Sequence, residues 1–290
     1  MTDVNLQKRI EEINSSRVFY LLGIATVVSL MGVIEYLIFK YPFENILLAF
    51  VVPVFVLFIG MFLISFFLDS YRREYYELIL KPVLEKYGIN YEPDMGLSEN
   101  IVVLSGLIPH YDIYTSKDYI EGENFLSAYV ILKNEYIEEE ENGTTRKEQR
   151  VVWEGTIMVY FSERVVNNPF IIKMATPHLS DFLPFIIDKN RIKLDDPEFE
   201  KVFDVIGGDS IEVRKFLTHD VMRKLVQLKR EQDFTAMSFV YDYRFVSLVN
   251  FSAIRYPNIL RKVKEKTIDW SIRGVFKLIA IANFFEENNL

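Results

Sequence analysis

Two stretches decide the architecture: VFYLLGIATVVSLMGVIEYLIF over residues 18–39 and ILLAFVVPVFVLFIGMFLISFFL over residues 46–68. Each is about 22 residues long, and about 20 helical residues cross a hydrocarbon core of about 30 Å. The first carries one charge, Glu35, and the second carries none. Both are apolar all round, whereas the helices of a water-soluble hairpin keep a polar face. The first run is too long for a signal peptide, follows a long charged segment, and precedes no small-residue cleavage site. The sequence therefore predicts a helical hairpin in a bilayer with a large domain behind it.

Basic residues near the spans predict orientation. Lys8, Arg9 and Arg17 precede the first run, and Arg72, Arg73, Lys81 and Lys86 follow the second. The connection Tyr41-Pro42-Phe43-Glu44-Asn45 holds no base, with Lys40 at its edge. Both termini are expected in the cytoplasm, as a multi-pass protein of a cell (inner) membrane. The expected divisions are a cytoplasmic segment 1–17, two transmembrane helices over 18–68, a linking helix over 69–87, and a cytoplasmic α+β domain over 88–290.

Composition narrows the partners. The net charge is −8, which argues against a nucleic-acid binder, whose footprint is a basic patch. It also argues against strong electrostatic docking on anionic lipid, and Glu74 and Glu77 offset Arg72 and Arg73. The chain has no cysteine, so it holds no thiol nucleophile and no Cys-based zinc site. The expected partners are the bilayer and a protein, a second copy included.

Residues 2–16 form an amphipathic segment, with Leu6, Ile10 and Ile13 on one face. It suits a helix lying on the leaflet or a plain extension of the first span. Glu35 lies about one turn, some 6 Å, from the end of its span, within reach of headgroup water or Lys40. Pro53 falls within the second span and frees a carbonyl there. Helical spacing continues through Tyr71, Tyr75, Leu78 and Ile79, past Pro82, to a stop at Tyr87-Gly88.

Beyond Gly88 the signals alternate. Asn100–Leu107 reads as a short helix, and Lys117–Glu121 and Phe125–Glu135 as strands. Asn142-Gly143 marks the turn of a long hairpin returning along Val151–Phe161, and Phe170–Ala175 follows as a strand. Ser210–Arg230 carries a helical stripe of Val213, Phe216, Leu217, Val221, Leu225 and Leu228, within which Thr218 suits the cap of a helix starting at His219. Ala236–Val240 and Phe245–Phe251 form a second hairpin, and Asn258–Glu287 is mostly helix. Strand pairs followed by helices predict an α+β domain with a largely antiparallel sheet and flanking helices.

Phosphate-loop, dinucleotide and nucleophile-elbow motifs are absent from the sequence. His110 with Asp112, and His219 with Asp220, have spacings that suit surface or capping roles; His178 stands apart. Gly207-Gly208-Asp209 reads as a tight turn. The sequence therefore suggests an interaction or scaffold module with no catalytic residues, no metal ligands and no cofactor. The alternative is a membrane-bound enzyme or small-ligand sensor binding at Asp112, Asp118 and Glu121, beside Tyr111, Tyr114 and Tyr119.

Residues 194–205, Leu194-Asp195-Asp196-Pro197-Glu198-Phe199-Glu200-Lys201-Val202-Phe203-Asp204-Val205, carry a likeness. With Asp209-Ser210-Ile211-Glu212-Val213-Arg214 and Leu217-Thr218, they resemble a bacterial membrane-protein family catalogued as domain of unknown function 3137. That family shows a pattern like Leu-Glu-Asp-Pro-x-Phe-Glu-x-x-Phe-x-Val, then Asp-x-Val-Glu-Ala-Arg, then Leu-Thr. Ser105-Gly106-Leu107, Lys117-Asp118-Tyr119-Ile120-Glu121-Gly122 and Glu154-Gly155 resemble further stretches of it. The likeness covers roughly residues 20–255, and the chain departs at Asp195, Gly207-Gly208 and Lys215-Phe216. It implies two N-terminal spans and carries over no activity. The same residues also read structurally: Phe199, Phe203 and Val205 as core, Asp196-Pro197 as a turn that Glu200 caps, and Glu212 with Arg214 as a pair.

Overall fold

The computed structural model describes residues 3–40, 46–104, 110–139, 145–161, 168, 170–175, 191–232, 237–241, 245–249 and 252–288. They form two compact units, one of residues 1–87 with 255–272 and one of residues 88–254 with 273–290.

The first unit opens with helix α1, Asp3–Lys40, which joins the amphipathic segment and the first apolar run without a break. Of the two readings of residues 2–16, the structure has the extension: Ile10 and Ile13 are buried, Ile13 completely. Helix α2 runs over Ile46–Tyr75 with Pro53 inside it. Both helices are long and apolar enough to cross a membrane, and in their most apolar 18-residue windows only 0% and 6% of residues are buried. Phe19, Leu22, Phe39, Phe55, Phe58 and Phe62 all face outward. A core helix of a water-soluble protein would bury such residues. The pair is close-packed: a Cβ on Gly23 would lie 2.8 Å from Phe67 Cζ.

Helix α2 gives way to a π-helical turn, Tyr76–Leu80, and then to α3, Lys81–Glu85. Pro82 explains the change of winding. It has no N–H for the carbonyl of Leu78 four residues earlier, and its ring crowds that oxygen. Arg9 Nη1 donates to that carbonyl instead, at 2.9 Å. Gly88, with φ +68°, closes the helical stretch in the left-handed region.

The second unit is built on one nine-stranded sheet in the order β1-β2-β3-β4-β9-β8-β5-β7-β6. Its strands are β1 Asn90–Glu92, β2 Ile113–Glu121, β3 Phe125–Glu139, β4 Thr145–Tyr160, β5 Phe170–Met174, β6 Arg191–Ile192, β7 Phe203–Gly207, β8 Met237–Tyr241 and β9 Phe245–Val249. Every pairing among them is antiparallel. The shorter helices are α4 Glu99–Leu104, α5 Pro197–Glu200, α6 Ser210–Phe216 and α7 His219–Gln232, and α8 runs over Glu265–Glu287. The architecture is the expected one: two long apolar N-terminal helices, then an antiparallel sheet with flanking helices. The turns at Asn142-Gly143 and 242–244, together with Ser105–Leu107 and His178, lie outside the described residues.

Strand period two divides the centre of the sheet. Ala128, Val130 and Leu132 of β3 join Ile157, Val159 and Leu97 in one cluster. On the opposite face, the Tyr160 ring meets Phe285 of α8 at 5.5 Å. Gly274 admits α8 closely, since a Cβ there would lie 2.5 Å from Ala253 Cα. The β3–β4 pairing runs out to Glu139 and Thr145, whereas β2 accompanies β3 only to Lys133 and β9 accompanies β4 only to Thr156. Among the described residues a two-stranded ribbon therefore extends beyond the sheet.

Strands β3 and β4 run further toward their turn than expected, to Glu139 and from Thr145, and three other boundaries differ for a local reason. Strand β2 starts at Ile113, because Asp112 fastens its beginning: its N–H donates to Lys133 O at 2.9 Å and its Oδ2 accepts from Glu135 N at 2.8 Å. The Ser210–Arg230 stripe is split into two helices at Leu217, whose ψ of 72° ends α6, and Thr218 Oγ1 accepts from Val221 N at 3.4 Å. The last helix begins at Glu265 rather than Asn258; Asn258 holds a turn, and Thr267 Oγ1 reaches back to Lys264 N at 3.1 Å.

Phe203 is fully buried and its ring lies 5.2 Å from Phe199. Phe203→Ala should cost about 3–5 kcal/mol, read from chemical denaturation of the detergent-solubilised chain. A loss under about 1 kcal/mol would mean that the surrounding core closes over the space.

Candidate functional site

Where the first apolar run begins, polar side chains of α1 grip the distant segment 255–272 of the same unit. Asn14 is the centre of the grip. Its Nδ2 donates to Val263 O at 2.9 Å and its Oδ1 accepts from Val263 N at 2.9 Å. One amide thus satisfies both backbone groups of one residue, as a neighbouring strand would. Nearly one turn on, the buried guanidinium of Arg17 donates from Nη1 to Ile259 O at 3.3 Å. Toward the start of α1, Gln7 Nε2 donates to Glu265 Oε1 at 2.6 Å.

Helix α2 joins the same collar. Ser16 Oγ donates to Glu74 Oε1 at 2.5 Å, and the fully buried Tyr75 shares a 3.0 Å hydrogen bond with Ser271 Oγ. The Tyr75 ring also meets Tyr256 edge-on at 6.3 Å. Ile10, Ile13, Ile79, Leu80, Ile259, Val263 and Ile268 supply the apolar filling. The collar fastens residues 259–271 to both helices, where the first apolar run begins and just past the end of the second.

The acidic trio named from the sequence is not gathered. Asp112 is exposed at the start of β2 and Glu121 ends that strand, about 30 Å apart at strand rise. Asp118 lies between them at a bulge where the β2–β3 register shifts, with a left-handed φ of 57°. Its N–H donates to Pro93 O at 3.0 Å and its Oδ1 accepts from Tyr91 Oη at 2.7 Å. Burial pushes its carboxyl above the usual range, against the Tyr91 hydrogen bond and Lys117, which favour the ionised form. The tyrosines turn elsewhere. Tyr111 donates to Glu99 at 2.9 Å and Tyr114 to Leu97 O at 2.8 Å. Burial, then the Glu99 hydrogen bond, pushes Tyr111 up to about 12.

The Leu194–Val205 stretch is a capping and ion-pair network. Asp196 Oδ1 accepts from Glu198 N at 2.9 Å and Phe199 N at 3.0 Å, capping α5. These backbone hydrogen bonds, the Phe199 one foremost, hold its carboxyl below the usual range against burial. Its Oδ2 meets His219 Nδ1 at 3.1 Å. Glu200 is not the cap of this turn: its Oε1 accepts from Leu194 N at 2.8 Å, two residues before the cap Asp196. Arg191 pairs with Glu200 at 3.3 Å and with the buried Asp204 at 3.0 Å. Glu212 and Arg214 do not pair with each other: Glu212 accepts from Asn168 N and Nδ2, while Arg214 reaches Asp195 at 2.7 Å and Lys193 O at 2.6 Å. Side chains two apart on a helix face different ways. Gly207 and Gly208 take φ of 79° and 76° in the tight turn before Asp209, which caps α6. Sequence reasoning missed the Asp196–His219 contact and the Asn14 grip. Among the described residues no group of three or more His, Asp or Glu could hold a metal ion.

Residues 154–286 match the model of a family described as Protein of unknown function (DUF3137). It is the family that the Leu194–Val205 stretch resembles, and the match runs from β4 to the end of α8. No curated protein matches the chain. Among solved structures, the mycobacterial trehalose monomycolate transport factor A, TtfA, is similar at 10% identity over 71% of this chain and 91% of that one. The TM-score is 0.34, and a likeness that loose carries no argument.

Asn14→Ala would leave the N–H and C=O of Val263 unpaired, at about 1–3 kcal/mol for each group that water cannot reach. The melting temperature of the detergent-solubilised chain should drop by several degrees; an unchanged value would show that the amide grip is dispensable. Asp118→Asn should instead stabilise the fold at pH 7. A raised folded pKa means that ionised Asp118 opposes folding at neutral pH and ceases to do so below its unfolded pKa of about 3.9. Asparagine keeps the Tyr91 acceptor and tolerates the left-handed backbone. The advantage should shrink as pH falls through the folded pKa toward about 4. A melting temperature below that of the parent at pH 7 would contradict it.

Proposed function

We propose that the chain is a membrane-anchored interaction or scaffold module, with both termini in the cytoplasm of a bacterial cell and its sheet-bearing unit presented to a protein partner or to a second copy. The observation that carries the reading is the pair of long helices with apolar side chains facing outward, continued into a collar that fastens residues 259–271 to them. Hydrocarbon suits those outward phenylalanines and water does not. Lysines and arginines flanking both runs, against none in the 41–45 connection, favour a cytoplasmic collar.

The side-chain chemistry fits binding better than catalysis. Asp196, Glu200, Asp204 and Asp209 are spent on caps and ion pairs. A second reading, a small-ligand sensor, draws on Asp118 alone of the acidic trio, through its burial and left-handed backbone.

A periplasm-active reporter fused after residue 90 should stay silent, and one fused at Glu44 should be active; the reverse pattern would overturn the orientation. Affinity capture of the tagged full chain from solubilised membranes should retain a partner, or differently tagged copies of the chain, in stoichiometric amount. Recovery of the chain alone would count against the module reading.

A further inference from the structure

Within the first unit, the segment before α8 runs along α1 toward the apolar run. Glu265 meets Gln7, Val263 meets Asn14 and Ile259 meets Arg17. From Gln7 to Arg17 the helix rises about 15 Å, and Val18, the next residue, opens the apolar stretch. The turn at Asn258–Arg261 therefore lies level with the start of the first span. Asn258 pins that turn: its Oδ1 accepts from Leu260 N at 2.9 Å and its carbonyl from Arg261 N at 3.0 Å.

The turn sorts its side chains. Ile259 and Val263 point inward and are buried, whereas Leu260, Arg261 and Lys262 point out, with Leu260 71% exposed. Residues 255–266 hold five bases, Arg255, Arg261, Lys262, Lys264 and Lys266, against one acid, Glu265. Arg255 lies over the Trp270 ring at 5.7 Å. The other four are exposed, and among the described residues none of them meets a carboxylate. A protein of net charge −8 thus gathers a basic, leucine-tipped turn at the level where its first helix becomes apolar.

We infer that the 258–262 turn is a lipid-docking element: Leu260 inserts at the bilayer surface, and Arg261 and Lys262, supported by Lys264 and Lys266, bind the phosphates of anionic phospholipids in the leaflet that α1 enters. An exposed leucine flanked by bases is the chemistry of an interfacial contact, and each Lys or Arg near an anionic surface adds to the attraction. The acidic charge of the whole chain obscures the patch, and the contacts of residues 259–265 along α1 are what bring it level with the start of the apolar run. The inference rests on the reading of α1 and α2 as membrane spans.

The chain has no cysteine, so single labelling sites are clean. Leu260→Cys and, as a control, Leu57→Cys in the second span are labelled with a small fluorophore in the full chain. Each is placed in nanodiscs of phosphatidylcholine alone or mixed with phosphatidylglycerol, with nitroxide lipids as quenchers. The Leu57→Cys label should be quenched by acyl-chain nitroxides in both. The Leu260→Cys label should be quenched by headgroup nitroxides, more strongly with phosphatidylglycerol, and adding Arg261→Glu and Lys262→Glu should abolish that increment. Quenching at Leu57→Cys with the Leu260→Cys label open only to aqueous iodide overturns the docking turn and leaves the spans intact. Equal quenching of Leu260→Cys in both lipids overturns anionic recognition. A Leu57→Cys label untouched by acyl nitroxides overturns the span reading and the docking turn with it.

Discussion

Where an apolar helix pair ends, every backbone and side-chain group must find a new environment within a few residues. That constraint governs the first unit. Helices α1 and α2 run beyond their apolar stretches, so the apolar residues on their facing surfaces need cover there. Segment 255–272 supplies it through Ile259, Val263 and Ile268, and its own backbone groups are satisfied by Asn14 and Arg17. The same economy acts at Pro82, where a missing N–H is answered by Arg9. Buried carbonyls and amides are costly when unpaired. The polar residues of α1 are therefore fasteners.

The second unit uses its acidic residues in the same way. Asp196 and Asp209 each spend one oxygen on two helix-start N–H groups, and Glu200 holds the chain entering α5. Arg191 neutralises both Glu200 and the buried Asp204. A buried carboxylate without such a partner would be strongly destabilising. The residues that resemble the family are thus accounted for by the capped starts of two short helices and the ion pairs around them. Asp118 stands apart: its burial raises its pKa, and the bulge leaves it in the left-handed region.

Much of the architecture was legible in the sequence because the signals were local. Uninterrupted apolarity marked α1 and α2, strand-like runs on either side of Asn142-Gly143 marked β3 and β4, and Thr218 marked the break between α6 and α7. The candidate site was less legible because its contacts are remote. Asn14 and Val263 lie 249 residues apart, and one asparagine on an apolar face announces no partner. Asp112, Asp118 and Glu121 looked clustered along the chain, but strand geometry spreads neighbours in sequence over about 3.3 Å per residue. His219 and Asp196 came together only because α7 starts beside the cap of α5.

The ribbon of β3 and β4 has one consequence for how copies of the chain tolerate one another. Beyond Lys133 and Thr156 its two outer rims have no partner strand among the described residues, although Asp112 still takes the N–H of Glu135, and unpaired rims are templates for unwanted strand addition. Here charge guards them. Lys147 lies 3.8 Å from Glu135, Arg150 pairs with Glu148 at 2.9 Å, and the Arg150 guanidinium sits 5.1 Å from the centre of the Tyr136 ring. An incoming strand would have to strip water from this alternating rim before it could bury the exposed Ile137 and Val151. If α1 and α2 hold copies of the chain in one bilayer, as proposed, those copies meet often and in similar orientations, and such a rim would resist strand-to-strand growth between them.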